Sequence, residues 1–137
     1  MSGPLLDRID LTVEVPPVDL AALAHGREGE PSAAVRERVL AARLRQRARF
    51  GPGGPSCNAQ MRPRELDRCA VLGEGPRRLL VAAGARLRLS ARGYDRVRRL
   101  ACTLRDLEGA AEIGEAHVAE AVQYRPRFAA EEGVPPR

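Results

Sequence analysis

The chain contains no lysine and no tryptophan, and only 3% of its residues are aromatic. All 23 basic residues are therefore arginines. A phosphate-binding loop of the G-x-x-x-x-G-K-[ST] type needs a lysine to reach the β- and γ-phosphates of a nucleotide. The glycine-rich stretch at 50–55 carries two prolines and no phosphate-binding group, so we interpret it as a loop. By itself, the chain cannot be a P-loop nucleotidase.

Cysteines and long apolar runs are also scarce. The three cysteines, Cys57, Cys69 and Cys102, are odd in number and have no C-x-x-C spacing, which favours free thiols over a disulfide framework or a metal site. No apolar segment approaches the ~20 residues that a membrane helix needs, and the first residues lack the pattern of a signal peptide. We expect a cytoplasmic protein with no metal site and no membrane partner.

The residues that are abundant favour helices. At 137 residues the chain is long enough for one domain, and alanine, leucine, arginine and glutamate are good helix formers. The net charge of +5 permits binding to a polyanion but does not prove it.

One segment near the start has the pattern of a strand. Ile9, Leu11, Val13 and Val15 alternate with polar residues and would share one face, until two prolines follow at 16–17. A lone strand is unstable, and no second good strand is evident, so we expect its sheet to lie outside this chain. Residues 16–31 have the composition of a linker.

The rest of the sequence predicts helices. Ser32 is a candidate N-cap for a helix that ends at Phe50, before Gly51. Ser90 is a candidate N-cap for the longest periodic segment, which ends before Gly109. Further helices are predicted at about 63–70, 75–87 and 114–124. The predicted fold class is mainly α, a small bundle of four to five helices preceded by one N-terminal strand.

Five stretches, taken together and in order, resemble one family. They are Gly3–Leu11, Ser32–Val39, Cys57–Gln60, Leu89–Arg96 and Ile113–Ala121. The chain resembles the C-terminal part of magnesium chelatase-like AAA+ ATPases, and especially the competence-associated bacterial branch, over residues 2–125. The resemblance implies a terminal fragment of the ATPase core at 1–15, a linker at 16–31 and a helical lid domain at 32–125. Residues 126–137 are predicted to be a disordered tail.

The resemblance assigns roles to two arginines. It implies that Arg8 is an arginine finger, a fixed planar cation that neutralises charge developing on the γ-phosphate of a neighbouring subunit. It implies that Arg92 is a sensor-2 arginine that binds the nucleotide. A cation near a helix N-terminus is unfavourable unless an anion is present, which fits that role. The alternatives are a surface Arg8 paired with Asp7 or Asp10, and a solvated Arg92.

The implied function is that of a lid and sensor segment. Members of the competence-associated branch look like hexameric DNA motors, although the sequence does not separate this branch from true magnesium-chelatase subunits. The resemblance therefore implies as partners a P-loop-containing core or neighbouring subunits in a homo-hexamer, and possibly DNA. ATP and Mg²⁺ would be bound only in a complete assembly, and this chain alone would be inactive. The alternative is a small Arg-rich helical module that binds nucleic acid or another protein.

The remaining arginines receive a simpler interpretation. The six arginines between 36 and 49 encircle their helix, so we interpret them as a solvated or interface surface. Arg96 and Arg99 are predicted to be exposed, or to pair locally with Asp95 and Asp106. His117 is predicted to have a structural role.

Overall fold

The computed structural model describes residues 9–17, 26 and 29–125. Within these ranges the chain forms five α-helices, which confirms the prediction of a mainly helical fold with four to five helices. They are α1 (Ser32–Phe50), α2 (Pro63–Cys69), α3 (Glu74–Arg86), α4 (Ala91–Glu108) and α5 (Glu115–Gln123). A 3₁₀ turn at Asn58–Gln60 connects α1 to α2. None of the helices in this part of the chain is long and apolar enough to cross a membrane.

The central element is α4. Its N-cap is Ser90, as predicted, and the Ser90 hydroxyl accepts a hydrogen bond of 3.0 Å from the backbone N–H of Gly93. Its C-cap is Gly109, whose φ of 79° lies in the left-handed region that favours glycine. The helix packs against α1, α2, α5 and the 3₁₀ turn. Caps at both ends thus fix the length of the helix on which the core is built.

The core lies on the inner faces of these helices. Leu66, Leu80, Val97 and Val118 are at most 1% exposed. Full burial of such a side chain contributes roughly 1.5–3 kcal/mol relative to exposure. These four residues come from α2, α3, α4 and α5, and Phe50 of α1 belongs to the same cluster, so the core joins all five helices.

Helix α1 begins one residue earlier than a helix capped by Ser32 would. Ser32 is its first residue, and the N-cap is Pro31, which has no side chain able to accept a hydrogen bond. The predicted capping role of Ser32 is therefore wrong. Near this end of the helix, the carboxylate of Glu30 pairs with Arg38, with 2.8 Å between Oε2 and Nη2.

The predicted strand does not form in the described residues 9–17. This segment makes one backbone hydrogen bond to the bundle, from the N–H of Thr12 to the carbonyl of Tyr124 at 2.8 Å. Leu11, Val13 and Val15 are 47%, 63% and 83% exposed. The described residues include no second strand, so the segment has nothing to pair with. Residues 1–8, most of the linker and the tail at 126–137 lie outside the described residues.

Candidate functional site

The predicted sensor residue Arg92 lies at the N-terminal end of α4. It is the second residue of the helix, and its side chain is exposed. No hydrogen bond or ion pair joins it to another described residue. Its charge therefore adds to the partial positive charge of the helix end, and no ion pair with a described residue offsets it. This arrangement suits an anionic ligand, and the role of Arg92 stays a prediction.

The predicted finger residue Arg8 lies outside the described residues, but the residues that follow it are fixed against α4. The carbonyl of Ile9 accepts hydrogen bonds from Arg96 at 3.3 Å and from Arg125 at 3.0 Å. Asp10 pairs with Arg96, with 3.0 Å between Oδ1 and Nε. Arg96 lies about one helical turn beyond Arg92. The structure thus places the chain directly after Arg8 near the end of α4 that carries Arg92.

A groove lies beside this contact. Its volume is about 470 Å³, and its walls come from the 9–17 segment, the 3₁₀ turn and α4. Its polar lining includes Asp10, Arg96, Arg99 and Thr103. Arg99 donates to the carbonyl of Met61 at 3.0 and 3.2 Å, so its guanidinium also ties α4 to the start of α2.

The predicted local pairings of Arg96 and Arg99 are wrong. Arg96 pairs with Asp10, and Arg99 bonds a backbone carbonyl. Asp95 pairs with Arg98 at 3.5 Å, and Arg98 also pairs with Asp67 at 3.1 Å. Spacing along one helix identified possible neighbours, but the long arginine side chains reach other segments instead.

The most buried charged group in the described chain is the carboxylate of Asp106, which is 1% exposed. Both of its oxygens accept hydrogen bonds from Arg49. It also accepts from the amide of Asn58 at 2.8 Å and from Arg105 at 2.9 Å. We call the set around this carboxylate the buried polar cluster; its members are Gln46, Arg49, Asn58, Cys102, Thr103, Arg105 and Asp106.

The buried polar cluster joins three segments. Asn58 bonds Thr103 at 3.1 Å through its side chain, and its backbone N–H bonds Gln46 at 3.2 Å. Arg45 adds a hydrogen bond of 2.8 Å to the backbone carbonyl of Asp106. Since buried polar groups are costly unless they are satisfied, these bonds fix the 3₁₀ turn between α1 and α4. Asn58 lies in one of the stretches that resemble the family, but its partners are distant in sequence and no local pattern marks them.

The charges of the cluster shift the pKa of its acid groups. Burial alone would raise the pKa of Asp106, but hydrogen bonds from Arg49, Asn58 and Arg105 outweigh it and lower the pKa. Burial raises the pKa of the Cys102 thiol to about 11, despite the nearby Arg105 and Arg49. Asp106 is therefore charged and Cys102 is protonated at neutral pH.

The pKa of the Cys57 thiol is lowered, in contrast to that of Cys102. Partial burial would raise its pKa, but a hydrogen bond from the Arg43 side chain and bonds from the backbone of Ala59 and Gln60 lower it. The difference from Cys102 arises because Cys57 lies at the edge of the bundle, whereas Cys102 is fully buried.

These shifts predict unequal thiol reactivity. With iodoacetamide near neutral pH, Cys57 should be alkylated at least about tenfold faster than Cys102, because the thiolate is the reactive form and Cys102 is buried. Arg43→Gln should slow the reaction of Cys57, because it removes one hydrogen bond to the thiolate. Peptide mass spectrometry after timed quenching measures both rates. Equal rates for Cys57 and Cys102 in the folded protein would contradict this prediction.

His117 has the predicted structural role. Its Nδ1 accepts a hydrogen bond of 2.8 Å from the backbone N–H of Gly114, and its Nε2 contacts Glu108. The imidazole therefore closes the N-terminus of α5 and joins it to the end of α4.

Comparison with known proteins identifies the family of this bundle. A family profile described as "Magnesium chelatase, subunit ChlI C-terminal" matches residues 29–125. The chain is 40% identical over 126 residues to the competence protein ComM of Haemophilus influenzae. It is 39% identical over 126 residues to YifB of Salmonella typhimurium, and 35% identical over 126 residues to YifB of Escherichia coli.

Each of these alignments covers 91% of this chain and 24% of the relative. The chain thus spans about a quarter of the length of these proteins. The profile covers the whole helical bundle, including the buried polar cluster and Arg92. The chain therefore belongs to the family of the C-terminal region of the magnesium chelatase subunit ChlI.

Proposed function

We propose that this chain is the lid and sensor segment of an AAA+ ATPase that couples ATP hydrolysis to DNA remodelling in a homo-hexamer. The observation that carries the proposal is the exposed Arg92 at the capped N-terminus of α4, within a chain of this family. The similarity to a competence protein supports the assignment to a DNA-related branch.

The residues present fit one edge of a nucleotide site. Arg92 offers a charged donor at a helix N-terminus, which is a favourable place for a phosphate. The chain has no lysine to reach the β- and γ-phosphates, so the rest of the phosphate site must come from another segment. Mg²⁺ and ATP would be bound by that segment, and ATP would supply the energy for movement.

The lid can transmit a nucleotide signal because it is one connected body. Arg92 is on α4, and α4 is joined to α1 through Asp106 and to the 9–17 segment through Arg96. A shift of the α4 N-terminus on phosphate binding would therefore move the bundle as a unit. In this proposal Arg8 completes the site of the neighbouring subunit.

The simplest test compares the chain alone with the chain in its complete context. The purified 137-residue chain is expected to show no Mg²⁺-dependent ATP hydrolysis above the blank and only weak binding of a fluorescent ATP analogue. A polypeptide that joins it to a P-loop-containing AAA+ core should hydrolyse ATP. A robust ATPase rate from the chain alone would overturn the proposal, because it would require a phosphate site within these residues.

A further inference from the structure

Three of the six arginines of α1 bind carboxylate or carbonyl oxygens of this chain. Arg45 and Arg49 bind the backbone and the carboxylate of Asp106, and Arg38 pairs with Glu30. The other three are Arg36, Arg43 and Arg47, and all of them are exposed. The six arginines thus differ in role, although the sequence pattern suggested a uniform ring around the helix.

Arg36, Arg43 and Arg47 lie on one side of α1, and we call them the α1 arginine stripe. With about 100° of rotation per residue, their positions fall within an arc of roughly 40°. With a rise of ~1.5 Å per residue, they extend over roughly 16 Å of the helix. Arg43 also donates to the thiol of Cys57. The side chains of Arg36 and Arg47 form no hydrogen bond or ion pair with another described residue.

The charge of the stripe is not offset by its own helix. The only acidic residue in α1 is Glu37, which lies about 100° around the helix from Arg36. The helix carries six arginines and this single glutamate. Its outer face is therefore strongly basic, although the whole chain carries a net charge of only +5.

We propose that the α1 arginine stripe binds the phosphate backbone of duplex DNA. The inference rests on the proposed function in taking DNA as the partner, and it assigns the contact to this surface. Duplex DNA carries about one negative charge per 1.7 Å of its axis, so a stripe of roughly 16 Å faces more phosphates than it has arginines. The arginines can therefore contact different phosphates along the duplex, and binding should be independent of base sequence.

The composition of the stripe favours a duplex backbone over single-stranded bases. Binding of single strands commonly uses aromatic side chains on which bases stack. The only aromatic residue of α1 is Phe50, which is buried and is the last residue of the helix. The stripe thus supplies charge without a stacking surface.

A protein partner would use further residues of the same helix besides the arginines. Leu40 and Leu44 are 51% and 64% exposed and lie about 60° around the helix from the stripe. An acidic protein surface with an apolar centre would bury these leucines and pair with the arginines. Phosphate binding needs only the arginines, so the two partners respond differently to substitution.

The test is DNA binding by the 137-residue chain, measured by fluorescence anisotropy. The probe is a fluorescein-labelled duplex of about 20 base pairs, titrated between roughly 50 and 200 mM NaCl. The test variant carries Arg36→Gln, Arg43→Gln and Arg47→Gln. The control carries Arg64→Gln, Arg78→Gln and Arg86→Gln, which are exposed arginines of α2 and α3. Both lower the net charge from +5 to +2.

The stripe variant should bind at least tenfold more weakly at the lower salt concentration. Its plot of log K against log salt should lose about one unit of slope per arginine. The control should retain most of the affinity and slope of the unsubstituted chain. Circular dichroism should show the same helix content in all three proteins, because all six substituted side chains are exposed.

Three results would overturn the inference. The first is no binding to the duplex at low salt, and the second is an equal loss of affinity in both variants. The third combines two observations. The Leu40→Gln/Leu44→Gln variant loses as much affinity for the duplex as the stripe variant, and poly-L-glutamate displaces the labelled duplex as effectively as unlabelled DNA does. That result would assign the face to an acidic protein. These three results concern DNA binding only. The proposed lid function is tested separately, by ATP hydrolysis in the complete assembly.

Discussion

Replacing Asp106 with alanine is expected to lower the free energy of unfolding by about 3–5 kcal/mol. The carboxylate is 1% exposed and accepts hydrogen bonds from Arg49, Arg105 and Asn58. Alanine would leave the guanidinium groups of Arg49 and Arg105 without their carboxylate partner in a largely buried position. Urea unfolding followed by circular dichroism measures the loss, with the slope of the transition expected to be unchanged.

Asp67→Ala is the matched control for this substitution. Asp67 also pairs with an arginine, Arg98, but its side chain is 72% exposed. Exposed ion pairs contribute about 0–1 kcal/mol, so this variant should remain close to the unsubstituted chain. If Asp106→Ala cost no more than Asp67→Ala, the buried polar cluster would not hold the bundle together.

Asp106→Asn separates the charge of the carboxylate from its shape. Because the pKa of Asp106 is lowered in the folded chain, its charge stabilises the fold above its unfolded pKa, about 4. That contribution is lost as the pH falls through the lower, folded pKa. The difference in stability between the unsubstituted chain and Asp106→Asn should therefore be largest near neutral pH and shrink below about pH 4.

The helices could be predicted because their signals are local. Ser90 and Gly109 mark the ends of α4 within the sequence itself, and the apolar period between them identifies the buried face. The start of α1 was misplaced by one residue because Pro31, which has no capping side chain, precedes the helix where Ser32 would be the ordinary cap.

The contacts between helices could not be predicted in the same way. Arg49 and Asp106 are 57 residues apart, and nothing in either local pattern distinguishes them from exposed charges. Which α1 arginines bind oxygens of this chain, and which form the α1 arginine stripe, depends on the same long-range packing. Residues 9–15 have a sound strand pattern, but a strand also requires a partner, which the described residues do not provide.

In the complete ATPase, replacing Arg92 with alanine is expected to reduce kcat roughly 100-fold, as for other groups that stabilise charge in a transition state. Arg92 is exposed and makes no hydrogen bond or ion pair within the described chain, so the lid should fold normally without it. The expected signature is a large loss of ATP turnover with an unchanged melting temperature. Arg8→Ala should cost more, about 10³-fold or greater, if it acts as a finger.

Arg86→Ala is the control for both variants, because Arg86 is also an exposed arginine but lies in the last turn of α3. Its ATPase rate should match that of the unsubstituted protein. Mixing Arg8→Ala subunits with subunits that lack the P-loop lysine should restore part of the activity, since a finger serves its neighbour's site. The same mixing with Arg92→Ala shows whether Arg92 acts within its own subunit or on the next. If all three arginine variants retained full turnover, neither assigned arginine would contact the nucleotide, and the lid would act through another surface.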